Sequence, residues 1–272
     1  AGSAISRIIR EMTKERTPDM LAVLAPERRS SSRVLSKWRI AAWRPWQDRK
    51  GGPAPALAQG ISERIVGNTI LTLNINGFHS KKLQIVDLLL QMKVAVACFQ
   101  ETRVMDRHYP IRVNGYQTFV SDARAGFRGL AMLVDHRLAA YEVPHTLGIH
   151  GLYVKVAGLP GFECPVHIIG LYCPSGGNER STRTTVLRGV CDLTASILEK
   201  DPEAHIVVLG DLNKEAGDLD KFLGKRQCGL SRLVPTGSSL TRFPLRGRPT
   251  AIDHLLVSER VASMLRRPRV LR

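Results

Sequence analysis

The sequence has few cysteines and few aromatic residues: five cysteines, three tryptophans and 6% aromatic side chains in 272 residues. No two cysteines form a Cys-x-x-Cys pair, which excludes a disulfide scaffold and an obvious zinc site. Long hydrophobic runs are missing as well. The longest beside a strand signal, Val94–Phe99, falls far short of the ~20 residues that a membrane-spanning helix needs. Negative charge is the scarcest feature. Only 24 Asp and Glu stand against 40 Lys and Arg, a formal net charge of +16. Such an excess selects a polyanionic partner, meaning nucleic acid, phospholipid or a phosphorylated substrate, and says nothing about fold. The odd, scattered cysteine count fits a reducing compartment.

The positive charge is unevenly placed. Residues 1–67 hold 13 basic and 6 acidic residues, 68–220 hold 15 and 16, and 221–272 hold 12 and 2. A neutral middle flanked by cationic ends reads as a folded domain over 61–258, a basic extension and linker over 1–60, and a basic tail over 259–272. In the extension, Ile5–Met12 and Ser32–Ile40 have the pattern of short basic helices. Trp38, Trp43 and Trp46 are interleaved with Lys37, Arg39, Arg44 and Arg49. Aromatics among cations stack on bases or lipid headgroups, or staple an extension to its domain; the staple is the commoner case. Gly51-Gly52-Pro53-Ala54-Pro55-Ala56 is a linker by composition. The Arg- and Ser-rich start has the look of an organelle transit peptide, with six acidic residues against it.

From residue 68 the pattern changes. Thr69–Ile75 alternates and is rich in β-formers. Ser80 is placed to cap a helix over Lys81–Met92 with Leu83, Val86, Leu89 and Leu90 along its face. Strands are expected at Val94–Phe99, Tyr116–Ser121, Leu130–Val134, Leu152–Val156, Val166–Tyr172, His205–Leu209, Leu240–Phe243 and Ile252–Val257. A second helix fits Arg183–Glu199, with Val186, Val190, Leu193 and Ile197 on one side. Mixed α/β, with sheets packed together and helices outside, is the expected class.

Polar residues recur at the strand ends. Asn74 closes the first strand and Gln100-Glu101-Thr102 the second. Tyr172 ends Val166–Leu171, Asp211 and Asn213 follow His205–Gly210, and Asp253 opens another apolar run. A carboxylate directly after a run such as Val207-Val208-Leu209-Gly210 is costly to bury unless paired or metal-bound. Three carboxylates (Glu101, Asp211, Asp253) with asparagine neighbours suit a hard, oxygen-loving cation, Mg2+ before Mn2+, rather than zinc. Taken singly, each has a plainer reading: a turn at Asn74–Gly77, a helix cap at Asp211, an ion pair between Asp253 and Arg242 or Arg248.

Six strings occur in order: Asn74-Ile75-Asn76-Gly77-Phe78, Gln100-Glu101-Thr102-Arg103, Gly129-Leu130-Ala131-Met132-Leu133-Val134, Leu171-Tyr172-Cys173-Pro174-Ser175, Gly210-Asp211-Leu212-Asn213 and Ile252-Asp253-His254-Leu255-Leu256-Val257-Ser258. In this order the chain resembles the endonuclease/exonuclease/phosphatase superfamily. The wording is nearest to the apurinic-type endonuclease domain of LINE-like (non-LTR) retrotransposons, over residues 67–258. The resemblance implies a four-layered αββα sandwich with its site where the motif loops converge. It implies Glu101 as the main Mg2+ ligand with Asn74 beside it. Asp211 and Asn213 would position and deprotonate the attacking water, Tyr172 would hydrogen-bond the scissile phosphate, and Asp253 would orient a catalytic histidine. These roles meet the demands of phosphodiester cleavage: an in-line nucleophile, a cation on developing charge and help for the leaving oxygen.

The superfamily closes on a Ser-Asp-His motif carried by a last strand, and no string after Asp253 matches it. His254 and His136 do not replace it. On that expectation the sandwich lacks its last strand, activity is lower by about two to four orders of magnitude, and a sheet edge is left for a protein partner to cover. Two readings then lead: a Mg2+-dependent DNA-nicking endonuclease, and a catalytically inactive nucleic-acid-binding or ribonucleoprotein subunit derived from one. A phosphatase or sphingomyelinase branch is disfavoured by the motif wording and the positive charge. DNA is the expected partner, RNA the alternative. Thr241, Arg242, Arg246 and Arg248 fall where the superfamily carries a DNA-facing loop, and Arg266 and Arg267 are placed to contact phosphates. The expected compartment is the nucleus or another reducing one, with an organelle left open.

Overall fold

The structure is a computed structural model. It describes residues 66–104, 110–121, 128–237, 239–242, 248–265 and 268–270, together with the strand backbones at Val23–Leu24 and Arg39–Trp43. Arg246, Arg266 and Arg267, the linker, Trp38 and Trp46 lie outside the described residues. Thirteen strands occur among those described: β1 (Val23–Leu24), β2 (Arg39–Trp43), β3 (Thr69–Asn74), β4 (Val94–Gln100), β5 (Tyr116–Ser121), β6 (Leu130–Asp135), β7 (Ala139–Glu142), β8 (Gly151–Ala157), β9 (Val166–Tyr172), β10 (His205–Asp211), β11 (Leu230–Arg232), β12 (Asp253–Ser258) and β13 (Arg269–Val270). Four α-helices accompany them: α1 (Lys82–Gln91), α2 (Arg180–Lys200), α3 (Ala216–Arg226) and α4 (Glu259–Met264).

The strands form two sheets. The first runs β1-β2-β3-β4-β6-β5, with β13 also pairing β2; the second runs β11-β12-β10-β9-β8-β7. Pairing is antiparallel except for β3 with β4 and β9 with β10. A parallel pair needs a crossover, and α1 and α2 supply the two crossovers. The inner strands β3, β4, β6, β9, β10 and β12 are buried at every position, which is why they read as near-continuous apolar runs.

Side chains alternate between the two faces of each strand, so the sheets build three cores. Ile70, Val96, Cys98 and Met132 of the first sheet meet Ile168, Val207, Leu209 and Leu255 of the second in a core between the sheets. Leu71, Leu73, Ala97 and Leu133 face outward onto Phe78, Ile85, Leu88 and Leu89 at and before α1. Ile169, Ile206, Val208 and Leu256 face outward onto Val186, Val190 and Leu187 of α2 and Leu219 and Leu223 of α3. The result is helix, sheet, sheet, helix. The sheets approach closely at Gly170, where a Cβ would lie 2.6 Å from Cys98 Sγ.

Several expectations change. Ser80 lies in a 3-10 turn (His79–Lys81), and Lys81 occupies the start of α1 with no side-chain cap bond. The buried face of α1 is Ile85, Leu88 and Leu89, whereas Leu83 and Leu90 are exposed. The heptad-like spacing admits both stripes, and the sheet selects the one that Phe78 and Met92 extend. Leu240–Phe243 forms no strand among the described residues; Arg242 bridges only to Thr250. Strand β2 comes from the segment read as an extension, and α4 and β13 come from the segment read as a tail. The edge of β3 is therefore paired by the chain itself, with Arg39 opposite Asn74 and Ile40 opposite Leu73. Unpaired strand N–H and C=O groups draw any compatible segment, and here the partner is supplied in cis. No helix among the described residues is long and apolar enough to cross a membrane.

Candidate active site

The inward-facing parity of the strands carries directly into the site. On β3, Ile70 faces the core between the sheets, and continuing by twos reaches Asn74. On β10, Val207 and Leu209 do the same and reach Asp211; on β12, Leu255 and Val257 lead back to Asp253. Register then aligns these ends. Tyr172 is opposite Asp211 and Asp211 opposite Asp253, so the three form one row across β9, β10 and β12. In the other sheet Asn74 is opposite Gln100, with Glu101 next in the chain. The site is the polar end of the core between the sheets.

Asn74 joins the two halves. Its Nδ2 donates to Glu101 Oε1 at 2.9 Å and to Asp211 Oδ2 at 3.0 Å. Tyr172 donates its hydroxyl to Glu101 Oε1 at 3.3 Å. The Asp211 carboxylate also accepts from the Asn213 amide N–H at 3.1 Å, while Asn213 Nδ2 donates to Cys173 O at 2.7 Å. Five residues expected from the sequence, Asn74, Glu101, Tyr172, Asp211 and Asn213, are thus in one bonded network. Asp253 lies beside them and is 8% exposed, with its amide donating to Thr241 Oγ1 at 3.1 Å.

The electrostatics separate the carboxylate from the phenol. Burial pushes the Glu101 carboxyl upward, but the hydrogen bonds from Asn74 and Arg128 and the Arg128 and Arg103 charges outweigh it. They hold the group below its ordinary value, so it is ionised at neutral pH. Burial, with the Glu101 and Asp211 charges, pushes the Tyr172 phenol well above its ordinary value and keeps it a neutral donor. Lys81 is lowered to about 8 by burial and the Arg103 charge, with Glu101 opposing. Its Nζ donates to the carbonyls of Ile75 and Asn76, which fastens the loop after Asn74.

Two residues depart from expectation. Thr241, read as facing DNA, is 1% exposed, and its hydroxyl accepts from the Ile252 and Asp253 amides, so it braces the start of β12. The Arg242–Thr250 bridge draws the chain inward at that point. Arg242 is half-buried and its Nε has no hydrogen-bond partner among the described residues, whereas Arg248 is exposed. The residue that the sequence did not disclose is Arg128. Its Nη1 donates to Glu101 Oε2 at 2.6 Å. The sequence signal was its place just ahead of Gly129 and β6, whose Leu130 is opposite Gln100.

A hard divalent cation fits these donors. Glu101 and Asp211 offer carboxylate oxygens, and the buried Oδ1 of Asn76 and Oε1 of Gln100 have no hydrogen-bond partner among the described residues, a surplus of acceptors at this end of the sheet. Among the described residues no three His, Cys, Asp or Glu side chains converge on a metal position.

The sequence model of the endonuclease/exonuclease/phosphatase family matches residues 71–267. The fold is similar to that of the Neisseria 3′ phosphatase NExo bound to product DNA hairpin, with 19% identity over 70% of this chain and 86% of that one, TM-score 0.56. It is similar to the endonuclease domain of TRAS1, a telomere-specific non-LTR retrotransposon, with 17% identity over 71% and 86%, TM-score 0.53. The catalytic domain of Xenopus laevis APE2 matches with 18% identity over 70% and 82%, TM-score 0.51.

Proposed function

Because the chain belongs to the endonuclease/exonuclease/phosphatase family, a match spanning most of its length, we propose that it hydrolyses phosphodiester bonds in DNA with a bound Mg2+ or Mn2+. The observation that carries this reading is the Asn74 amide held between the Glu101 and Asp211 carboxylates, one from each sheet. Solved relatives of this fold include a DNA-bound phosphatase and a retrotransposon endonuclease, and the net charge of +16 suits a polyanion.

Glu101, with Asn74 beside it, would hold the cation, whose positive charge would then face the oxygen on which negative charge develops. The chain's own groups do the rest. Asp211, whose Oδ2 accepts from Asn74 and whose Oδ1 accepts from the Asn213 amide, orients a water and takes its proton. Asn213 is pinned to Cys173 and keeps the loop after β10 in place. Tyr172, neutral and already a donor, turns its hydroxyl to a phosphate oxygen. Substrate specificity within DNA, and nicking of the retrotransposon type, belong to this proposal.

Supercoiled plasmid with Mg2+ tests it. The wild-type chain should convert supercoiled DNA to nicked circles, and Glu101→Ala and Asp211→Asn should each lose at least about 100-fold of that rate. One observation favours a second reading, a binding subunit without turnover: the Arg128 guanidinium already fills the free side of Glu101. Salt-sensitive DNA binding with no metal-dependent nicking by any of the three proteins would establish that reading instead.

A further inference from the structure

Glu101 has its two oxygens engaged unequally. Oε1 accepts from Asn74 and Tyr172, both part of the sandwich, at 2.9 and 3.3 Å. Oε2 accepts from Arg128 alone among the described residues, at 2.6 Å. The two partners of that ion pair also differ in freedom. The Glu101 side chain is 15% exposed and the Arg128 side chain 53%. Apart from that ion pair, Arg128 is held among the described residues through its backbone: its carbonyl accepts from the Arg103 amide at 2.7 Å, and that of Gly129 from the Thr102 amide at 3.3 Å. The side chain can leave without disturbing β6.

Resting on the reading of Glu101 as the cation's ligand, we infer that Arg128 is a displaceable stand-in for that cation. Its guanidinium pairs with Glu101 Oε2, yields the oxygen when the cation arrives, and turns to a phosphate of the bound strand. A guanidinium and a divalent cation cannot share one carboxylate oxygen, because their like charges repel at that separation. The planar fork of arginine suits carboxylate and phosphate equally, so the same group can exchange one anion for the other. The arginine end of the pair is half-exposed, so its departure is toward solvent rather than into the core, which is what an exchange requires. Metal and nucleic acid are thereby coupled through one side chain, and such coupling works equally in both directions.

The test is Mn2+ binding to the full chain, by calorimetry and by the Mn2+ spin-resonance signal, with and without a short phosphorothioate duplex that resists cleavage. Without DNA, Arg128→Gln should bind Mn2+ up to about fivefold more tightly than wild type, the range set by a half-exposed ion pair. Arg128→Lys, which keeps the charge, should lie between them, and Glu101→Gln should lose the site. Adding duplex should raise the wild-type affinity for Mn2+ more than that of Arg128→Gln. Thermal melts of the Arg128 variants should match wild type, since the side chain is half in solvent. Unchanged or weaker Mn2+ binding by Arg128→Gln, with Glu101→Gln still deficient, would overturn the stand-in and leave the cation reading intact. An equal duplex effect in wild type and Arg128→Gln would overturn the phosphate contact. Absence of Mn2+ binding by wild type and Arg128→Gln alike would remove the cation reading and the stand-in with it.

Discussion

Glu101 sits in a left-handed backbone conformation (φ 54°), and so do Asn76 (46°), Arg103 (55°) and Asn213 (44°). Non-glycine residues avoid this region unless their surroundings fix them there, at about 1–2 kcal/mol each. Here the loops are clamped by main-chain bonds from Gly77 to Glu101, from Phe78 to Thr102 and from Arg103 to Arg128. Stored backbone strain and the carboxylate network coincide. Outside that network, buried histidines make the fold sensitive to acid, His254 and His167 above all. Burial lowers both His254 and His167 to about 4, with the Lys155 and His205 charges adding at His167. In the unfolded chain each titrates near 6.5. As pH falls from about 6.5 to about 4 the unfolded chain takes up protons that the fold refuses, so stability declines through that window and levels off below it. The urea midpoint should therefore drop between pH 7 and pH 4.5. His254→Gln, whose amide can still donate to the Lys214 carbonyl that His254 Nε2 contacts at 2.7 Å, should flatten the decline. An unaltered pH slope in that variant would disprove the assignment.

Among the elements, those buried on both faces were the legible ones. Val166–Tyr172, buried throughout, ends where its apolar run ends; Tyr116–Ser121 is legible too, although only partly buried. What stayed hidden was short, exposed or set by distant partners. Strand β7 is mostly exposed and lacks an apolar stripe. Strand β11 is three residues and exists because β12 offers it a ladder from Leu230↔Ser258 to Arg232↔Leu256. Strand β2 is paired across 26 residues of intervening chain, a separation no local pattern reveals. At the site, Glu101 and Asp211 were legible because a charge after an apolar run is conspicuous. Arg128 was not, because an arginine in a chain with 40 basic residues is inconspicuous. Gly210 illustrates how an element delivers a site residue. It has φ 149°, and a Cβ on it would lie 1.9 Å from Leu171 O on the neighbouring strand. Gly210→Ala must push β9 and β10 apart one residue before Asp211, so it should cost roughly 2 kcal/mol or more and reduce nicking in the same variant. Full stability with full activity would contradict the close approach.

At the scale of the molecule, the edge beside β3 is the point of exposure. Strand β3 carries Asn74, and its outer ladder is filled by β2, which in turn receives β1 and β13. Removing residues 1–60 strips that cover and leaves a fully buried strand with an open edge. The shortened chain should melt at lower temperature and run larger than a monomer in size-exclusion chromatography, because bare edges recruit other chains. A shortened chain that stays monomeric and melts like the full one would show that β2 contributes little.

The division of labour along the chain has one more consequence. Apart from the late return of β13, every described strand up to Asp135 belongs to the first sheet and every described strand from Ala139 to Ser258 to the second. Asn74 and Glu101 come from the first half; Tyr172, Asp211, Asn213 and Asp253 come from the second. Neither half holds the candidate site alone. It is complete only where the two sheets face each other, and their close approach runs through buried residues such as Cys98 and Gly170. On the proposed reading, hydrolytic competence would depend on the mating of two surfaces, and a mismatch of one side chain deep in the seam would disturb it as the loss of a carboxylate would.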